Sequence, residues 1–88
     1  MERVVFRKFK EGDVIALFPD QVNIYYGLGT IGCYQHIGQH GKCSLDITSI
    51  TKLATIEEYE PLLKELKSIG YENLRVMKKL NIDWSKGK

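Results

Sequence analysis

The segment 55–70 has the strongest helical pattern in the chain and constrains the fold more than any other feature. Thr55-Ile-Glu-Glu58 matches a capping box, in which the threonine hydroxyl and the glutamate carboxylate each satisfy a free backbone amide. Apolar residues follow at helical spacing, and Gly70 is the residue type that commonly stands just past a helix. Pro61 predicts either a kink or a looser first turn. The apolar stripe consists of Tyr59, Leu62, Leu63, Leu66 and Ile69.

The N-terminal segment favours a β-hairpin. Residues 2–9 and 14–18 are rich in β-branched and aromatic types, which suit a pleated strand. Glu11-Gly12 between them predicts a two-residue turn, since glycine takes positive φ without strain. The pairs that this turn predicts are Phe6 with Leu17 and Val5 with Phe18.

The other segments complete an α+β pattern with strand order β-β-β-(β)-α-β. We expect a mostly antiparallel sheet of about four strands with one helix packed on one face. The second face would then need cover from a loop, a second chain or a ligand. The boundaries that the patterns predict are a loop at 19–29, strands at 30–37, 44–50 and 71–80, one domain over 1–80, and a C-terminal tail at 81–88.

Length and composition limit the functional classes. A chain of 88 residues with 43% hydrophobic and 27% charged residues is typical of one ordinary globular domain. No apolar run approaches the roughly 20 residues that cross a bilayer, and residues 1–18 are too charged for an export signal. We therefore expect a cytoplasmic protein with no membrane partner. The net charge of +2 is too small to indicate nucleic-acid binding by itself.

Both cysteines and both histidines fall at positions 33, 36, 40 and 43. These are zinc-ligand types, but the usual sites separate their two ligand pairs by roughly a dozen residues or more. In a hairpin centred on Gly38, Cys33 would face Cys43 and His36 would face His40, with the two pairs on opposite faces. A zinc-stabilised domain is therefore only the second alternative. A cross-strand disulfide is a further alternative, but because cytoplasmic thiols stay reduced we predict free cysteines and no cofactor.

The same segment is the predicted binding site. Glycine-rich loops at 27–32 and 38–41 lie beside aromatic and amide side chains, which offer stacking faces and hydrogen-bonding groups suited to recognition. Tyr25 and Tyr26 precede the first of these loops. The predicted ligand-binding residues are Tyr34, Gln35, His36, Gln39 and His40.

A catalytic alternative would use one of the histidines as a general base. His36 or His40 would take the proton, oriented by Asp20 or Asp46, because a histidine near its ordinary pKa is the usual base. No nucleophile elbow, phosphate-binding glycine loop or metal-ligand helix motif accompanies these residues. We therefore predict that the chain is not an enzyme.

A basic band is the basis of the first alternative function, a weak nucleic-acid binder. If the first and last strands are neighbours, their basic side chains would lie together near Phe6 or Phe9, and phosphate contacts dominate non-specific affinity. Basic residues on a solvated strand face also discourage edge pairing, so the pattern has a purely structural explanation. The band would comprise Arg3, Arg7, Lys8, Lys10, Arg75, Lys78 and Lys79.

Five segments together suggest a relationship to other proteins: Val-Phe-Arg-Lys-Phe-Lys-Glu-Gly-Asp-Val-Ile-Ala-Leu-Phe-Pro at 5–19, His-Ile-Gly-Gln-His-Gly at 36–41, Leu-Ala-Thr-Ile-Glu-Glu-Tyr at 53–59, the segment 66–71, and Leu-Arg-Val at 74–76. They resemble a family of small uncharacterised proteins from gut bacteria and their phages. The resemblance spans most of residues 3–80 and implies one compact domain. It implies carriage on phages or other mobile elements, and it transfers no catalytic residues because the family has no assigned activity.

These observations predict a non-enzymatic binding module. It would act on a protein partner or a small ligand through the glycine-rich loops around His36–Gly41, since those loops hold the exposed aromatic and polar groups. Exposed edge strands also predict a homodimer, which commonly has two-fold symmetry.

Overall fold

A mostly antiparallel sheet with one helix on one face organises the chain in the computed structural model, which confirms the α+β prediction. The structure describes residues 2–25, 28–35, 39–80 and 82. Six strands are present within these residues, in the order β4-β3-β2-β1-β5 with β6 also paired to β1, where about four were expected. In chain order the elements are β1 (Glu2–Phe9), β2 (Val14–Tyr25), β3 (Leu28–Gln35), β4 (Gln39–Cys43), a 3-10 helix (Leu45–Ser49), β5 (Thr51–Leu53), α1 (Ile56–Ser68) and β6 (Leu74–Val76).

The turn between β1 and β2 has three residues where two were expected. Phe9 N–H donates to the Asp13 carbonyl at 2.8 Å, and Gly12 N–H donates to the Phe9 carbonyl at 2.9 Å. Gly12 has a φ of +107°, the left-handed conformation that a three-residue hairpin loop requires at its last position. The glycine was correctly placed in the turn, but the loop length was wrong.

This extra loop residue shifts the β1–β2 register by one. Val5 lies opposite Leu17 and Phe6 lies opposite Ala16, so the predicted pairs are wrong. Since side chains alternate between faces, a shift of one residue changes which side chains of the two strands share a face. Phe6 and Ala16 pack under the helix, whereas Val5 and Leu17 lie on the opposite face.

The second half of β2 was expected to be part of a loop at 19–29. Residues 19–21 instead form a bulge of three unpaired residues, after which β2 continues to Tyr25 and pairs again with β3. A bulge accommodates Pro19 because proline has no N–H to donate to a regular ladder. The pairs on either side of the bulge are Phe18 with Gly32 and Val22 with Ile31.

Two further strand predictions need correction. Residues 44–50 do not form a strand, since Leu45–Ser49 is a 3-10 helix. The last strand, expected at 71–80, is limited to Leu74–Val76, which runs parallel to β1. Asn73, just before it, has a φ of 59°, and asparagine is one of the few residue types that adopt this conformation routinely.

Helix α1 begins and ends as its sequence predicts. Glu58 N–H donates to Thr55 Oγ1 at 3.4 Å and Thr55 N–H donates to Glu58 Oε1 at 2.8 Å, so the capping box is formed. Past the other end, Tyr71 N–H donates to the Leu66 carbonyl at 3.0 Å, and Gly70 has a φ of +114°. This is the arrangement of a Schellman motif, which satisfies carbonyls left free by the last turn.

The helix packs on the sheet through the middle of the predicted stripe. Leu62 and Leu66 are buried, whereas Ile69 is 49% exposed because it is the C-cap residue and has left the helical path. The helix continues through Pro61, which lies on its exposed side. The buried residues under the helix are Val4, Phe6, Ala16, Phe18, Tyr34 and Ala54.

The second face of the sheet is covered by the chain itself. The 3-10 helix contributes Ile47, and the segment after β6 contributes Met77, Leu80 and Ile82. Within the described residues this cover comes from the chain's own segments, and the described part of 19–29 belongs to β2 and β3. The buried sheet residues on this side are Val5, Ile15, Leu17, Ile31 and Cys33.

Candidate functional site

The predicted site lies on the β3–β4 hairpin, at one edge of the sheet. Strand β4 is the last strand in the sheet order, with β3 as its neighbour. His40 lies opposite Tyr34, and Gln39 lies opposite Gln35. Because β4 is terminal, alternate backbone groups point away from β3 and have no partner strand within the described residues.

His40 is exposed, and two tyrosines hold its ring. The His40 and Tyr34 rings meet edge to face, with centroids 4.7 Å apart and an interplanar angle of 70°. On another side, His40 Nε2 lies 3.2 Å from the hydroxyl oxygen of Tyr71. A side chain positioned by two aromatic neighbours loses little conformational freedom when it contacts a partner.

Tyr34 supports the site from within the core. It is 1% exposed, and its hydroxyl donates a hydrogen bond to the carboxylate of Glu65 on α1. Tyr71 is positioned by a stacked contact with Phe18, with ring centroids 5.0 Å apart. His40 is therefore connected through two tyrosines to the helix and to β2, and Tyr34 acts as a platform and not as a contact surface.

The other predicted site residues are described to different extents. Gln35 is half-buried at the end of β3. Gln39 begins β4, but the structure does not describe its side chain. His36 and Tyr26 lie outside the described residues. The structure thus brings together two of the five predicted residues, Tyr34 and His40.

Tyr71 belongs to the same cluster, and the sequence analysis did not include it. It lies 31 positions from His40, and the sequence analysis placed it at the start of the strand predicted at 71–80. No spacing rule connects a residue in a hairpin with one beyond a later helix. Only the packing of α1 over β2 and β3 brings the two together.

The general-base arrangement is not present among the described residues. Asp20 accepts three hydrogen bonds from the Arg3 guanidinium and one from the Arg3 backbone N–H, with the shortest at 2.7 Å. His40 contacts a tyrosine hydroxyl in place of a carboxylate. Asp46 lies exposed in the 3-10 helix.

The two cysteines lie close together, although not in the predicted register. Cys33 is opposite Gly41 and Cys43 is opposite Ile31, so the sulfurs meet diagonally across the strands at 2.6 Å. Both are free cysteines. Burial, followed by the neighbouring Cys43 sulfur, raises the pKa of the Cys33 thiol to about 12.

The cysteines and His40 lie on opposite faces of the sheet, as the alternation of side chains predicts. Cys33 and Cys43 pack on the face of the 3-10 helix, whereas His40 contacts Tyr34 on the helix α1 face. These three side chains therefore cannot bind one ion together, and His36 lies outside the described residues. No group of three or more metal-ligating side chains occurs within the part of the chain that the structure describes.

The first and last strands are neighbours, as the predicted basic band requires, but several basic residues of the band already have partners. Strands β1 and β6 are neighbours, with Arg3 opposite Arg75. Arg3 is ion-paired with Asp20, and hydrogen bonding to that carboxylate raises the pKa of Arg3. Lys8 forms an ion pair with Glu58.

Arg7 in the same band is held by uncharged groups. Its guanidinium donates to Thr51 Oγ1 at 2.7 Å and to the carbonyls of Thr51 and Thr48. Lys78, Lys79 and Arg75 are exposed. The exposed members of the predicted band are therefore Lys10 in the β1–β2 turn, Arg75 in β6, and Lys78 and Lys79 after β6.

A groove of about 820 Å³ lies between the β1–β2 turn and the start of β5. Lys8, Lys10 and Lys52 line it, together with the apolar side chains of Phe9 and Ile50. Ile50 is 63% exposed. The groove includes none of the five hairpin residues, so it is a separate surface from the His40 site.

No family model, curated protein or solved structure matches this chain. The resemblance to small proteins of gut bacteria and their phages therefore stays a prediction. None of the helices within the described residues is both long and apolar enough to cross a membrane.

Proposed function

We propose that the chain is a non-enzymatic binding module that takes an extended segment of a protein partner along the outer edge of β4, with His40 contacting that segment. The observation behind the proposal is the exposed imidazole of His40, held on a terminal strand by Tyr34 and Tyr71. A terminal strand offers a row of backbone donors and acceptors, and adding a strand is a common mode of peptide recognition.

Backbone groups and the His40 side chain would have different roles in recognition. Backbone hydrogen bonds along β4 would supply affinity that is independent of the partner's sequence, whereas His40 would supply specificity. Pre-organisation favours binding because the side chain is ordered before the partner arrives. Loss of the His40 imidazole should therefore weaken binding without unfolding the domain.

A cytoplasmic location and carriage by a phage or mobile element complete the proposal. The location is supported by the sequence composition alone. The mobile-element origin is supported by the sequence resemblance alone. Neither is needed for the binding proposal.

The test begins with a native mass spectrum of protein freshly purified from its own cells, which shows whether a protein, a small ligand or a second copy is bound. Affinity for the purified partner is then compared between the wild type, His40→Ala, and Lys52→Ala on the opposite edge strand. We expect His40→Ala to weaken binding about tenfold or more and Lys52→Ala to leave it unchanged. Circular dichroism checks that both variants are folded.

Hydrogen exchange then locates the contact. Binding along β4 should slow amide exchange in Gln39–Cys43 and leave β6 unaffected. If protection appears elsewhere, or if His40→Ala binds as tightly as the wild type, the proposed site is wrong. If a second copy is bound and protection appears at β4, the occupant is the partner subunit of the predicted homodimer. If a ligand-sized adduct is found, the occupant is a small molecule and not a protein.

Weak nucleic-acid binding is the second candidate, because Lys10 and Lys52 line the groove beside β5 with Phe9 and Ile50, next to Lys8, which is ion-paired with Glu58. Phosphates would contact the lysines, and an exposed base would contact the apolar side chains. The same variants separate the two proposals. Salt-sensitive binding of single-stranded DNA that is lost in Lys52→Ala and kept in His40→Ala would favour this candidate.

A further inference from the structure

The two thiols are placed to react with each other. Cys33 and Cys43 project from neighbouring strands onto the same face, with their sulfurs 2.6 Å apart. Sulfurs this close on neighbouring strands are within reach of a disulfide bond, which is about 2.0 Å long. We propose that Cys33 and Cys43 form a reversible intramolecular disulfide with a low-molecular-weight disulfide as oxidant, which fastens the edge strand β4 to β3.

The residue opposite Cys33 makes this approach feasible. Cys33 pairs with Gly41, and a Cβ atom at Gly41 would lie 3.6 Å from the Cys33 sulfur. Since glycine has no side chain, the space above Gly41 is open to the Cys33 sulfur, which extends diagonally towards Cys43. The contact is specific to the folded register, because a shift of one residue would place the two thiols on opposite faces.

The two thiols differ in access, which sets the order of reaction. Cys33 is 8% exposed, whereas Cys43 is half-buried on the terminal strand. A thiolate is the nucleophile in thiol–disulfide exchange, and the raised pKa of Cys33 keeps that thiol protonated at neutral pH. Cys43 is therefore the thiol that meets the oxidant first.

With oxidised glutathione the reaction has two steps. The Cys43 thiolate attacks one glutathione sulfur, forming a Cys43–glutathione mixed disulfide and releasing one glutathione thiolate. Cys33 then gives its proton to solvent and attacks the Cys43 sulfur as a thiolate. The Cys33–Cys43 bond forms, the Cys43–glutathione bond breaks, and the second glutathione leaves as a thiolate. The two released thiolates take up the protons that the two cysteines lost. Two protein thiols are oxidised and one glutathione disulfide is reduced to two thiols, so electrons and atoms balance.

Oxidation would act on the strand that bears His40, but the proposal does not depend on the binding function. Cytosolic disulfides are usually transient and redox-sensing, and strained or accessible ones are the labile ones. A link at Cys43 restrains β4 at the opposite end from Gln39. The oxidised hairpin should therefore be more rigid than the reduced one.

The test equilibrates the reduced, full-length protein with mixtures of oxidised and reduced glutathione, blocks free thiols with N-ethylmaleimide, and measures the intact mass. We expect the wild type to lose the mass of two hydrogen atoms and take up no maleimide. Dithiothreitol should restore two reactive thiols. Wild-type protein that keeps both thiols, stops at the mixed disulfide or forms linked dimers would overturn the proposal.

Single-cysteine variants and denaturant test the mechanism. Cys33→Ser should stop at the glutathione adduct, whereas Cys43→Ser should react much more slowly because its remaining thiol is buried. The equilibrium constant for the intramolecular bond should be about tenfold or more larger in native buffer than in urea, where the fold no longer holds the sulfurs together. Equal values in the two conditions would show that the folded geometry does not favour the bond.

Discussion

Gly32 faces the bulge of β2, and its missing side chain leaves room for that of Gln21. A Cβ atom at Gly32 would lie 2.1 Å from Gln21 Oε1 and 3.0 Å from Gln21 Cβ. The Gln21 side chain also donates a hydrogen bond to Glu2 Oε2 at 2.7 Å, so it cannot move without losing that bond. The glycine is therefore required by close packing and not by its backbone conformation.

This contact predicts that Gly32→Ala destabilises the fold, although alanine usually favours a strand more than glycine does. We expect a loss of about 1–3 kcal/mol in the free energy of unfolding, because overpacking forces Gln21 out of place. Gly41→Ala is the matched control, since its Cβ would meet only the Cys33 sulfur at 3.6 Å. Urea unfolding followed by circular dichroism measures both, and equal stabilities would contradict the prediction.

A double-mutant cycle separates this cause from a general intolerance of β3 to larger residues. If Gln21 is the obstacle, Gly32→Ala should cost less in a Gln21→Ala background than in the wild type. The remaining cost would reflect the Gln21 Cβ, which alanine retains. A cost that is the same in both backgrounds would assign the strain to another neighbour.

Among the elements, the N-terminus of α1 depends on Glu58 for two separate contacts. The carboxylate accepts a hydrogen bond from Lys8 on β1 and another from the Thr55 backbone N–H. The hydrogen bond with Lys8, followed by that with Thr55, lowers the pKa of Glu58 to about 2. One side chain thus caps the helix and ties it to the sheet.

The lowered pKa predicts how acid affects stability. An unfolded glutamate has a pKa of about 4.3, so the stabilisation from Glu58 is fully present above that pH and is lost as the pH falls towards 2. Glu58→Gln should be less stable than the wild type at pH 7, and the gap should narrow between about pH 4 and pH 2. Urea unfolding midpoints at several pH values measure this gap.

Glu57→Gln provides the control for charge near the helix N-terminus. Glu57 lies in the same first turn and is exposed, so its loss alters the helix dipole interaction without removing the cap. The gap between Glu57→Gln and the wild type should be smaller at pH 7 than the gap for Glu58→Gln, because the cap and the contact with Lys8 remain in place. A gap for Glu58→Gln that stays constant with pH would show that its carboxylate is not stabilised by folding.

The elements that the sequence predicted correctly are those with local signals. Helix α1 was placed correctly because its capping box and Gly70 lie within the segment itself. The first hairpin was found, but its register depended on whether Gly12 was the second or third loop residue, which composition does not distinguish. Pro19 indicated the end of a strand, whereas the structure places it in a bulge within one.

The candidate site was predicted in part for the same reason. Alternation placed Tyr34 and Cys33 on opposite faces of β3, and the structure agrees. Which face would lie under the helix could not be predicted from the strand alone, so the burial of Tyr34 was missed. Tyr71 was missed because its contact with His40 depends on tertiary packing.

At the scale of the whole molecule, the sheet is buried on both faces by one chain. Helix α1 covers the first face, while the 3-10 helix and the segment after β6 cover the second. Met77 N–H donates to the Val4 carbonyl at 2.8 Å, which fixes the point where this segment leaves the edge of the sheet. From there the chain places Leu80 and Ile82 against the second core.

This arrangement predicts that Leu80→Ala destabilises the domain. The half-buried side chain would be lost from the second core, which should cost about 1–3 kcal/mol in the free energy of unfolding, towards the low end for a leucine truncation. Lys79→Ala, an exposed neighbour in the same segment, should stay within about 0.5 kcal/mol of the wild type. Urea unfolding at two protein concentrations measures both changes. Because the cover is intramolecular, the difference between the two variants should not depend on concentration, whereas a difference that appears only at high concentration would mean that a second copy covers this face.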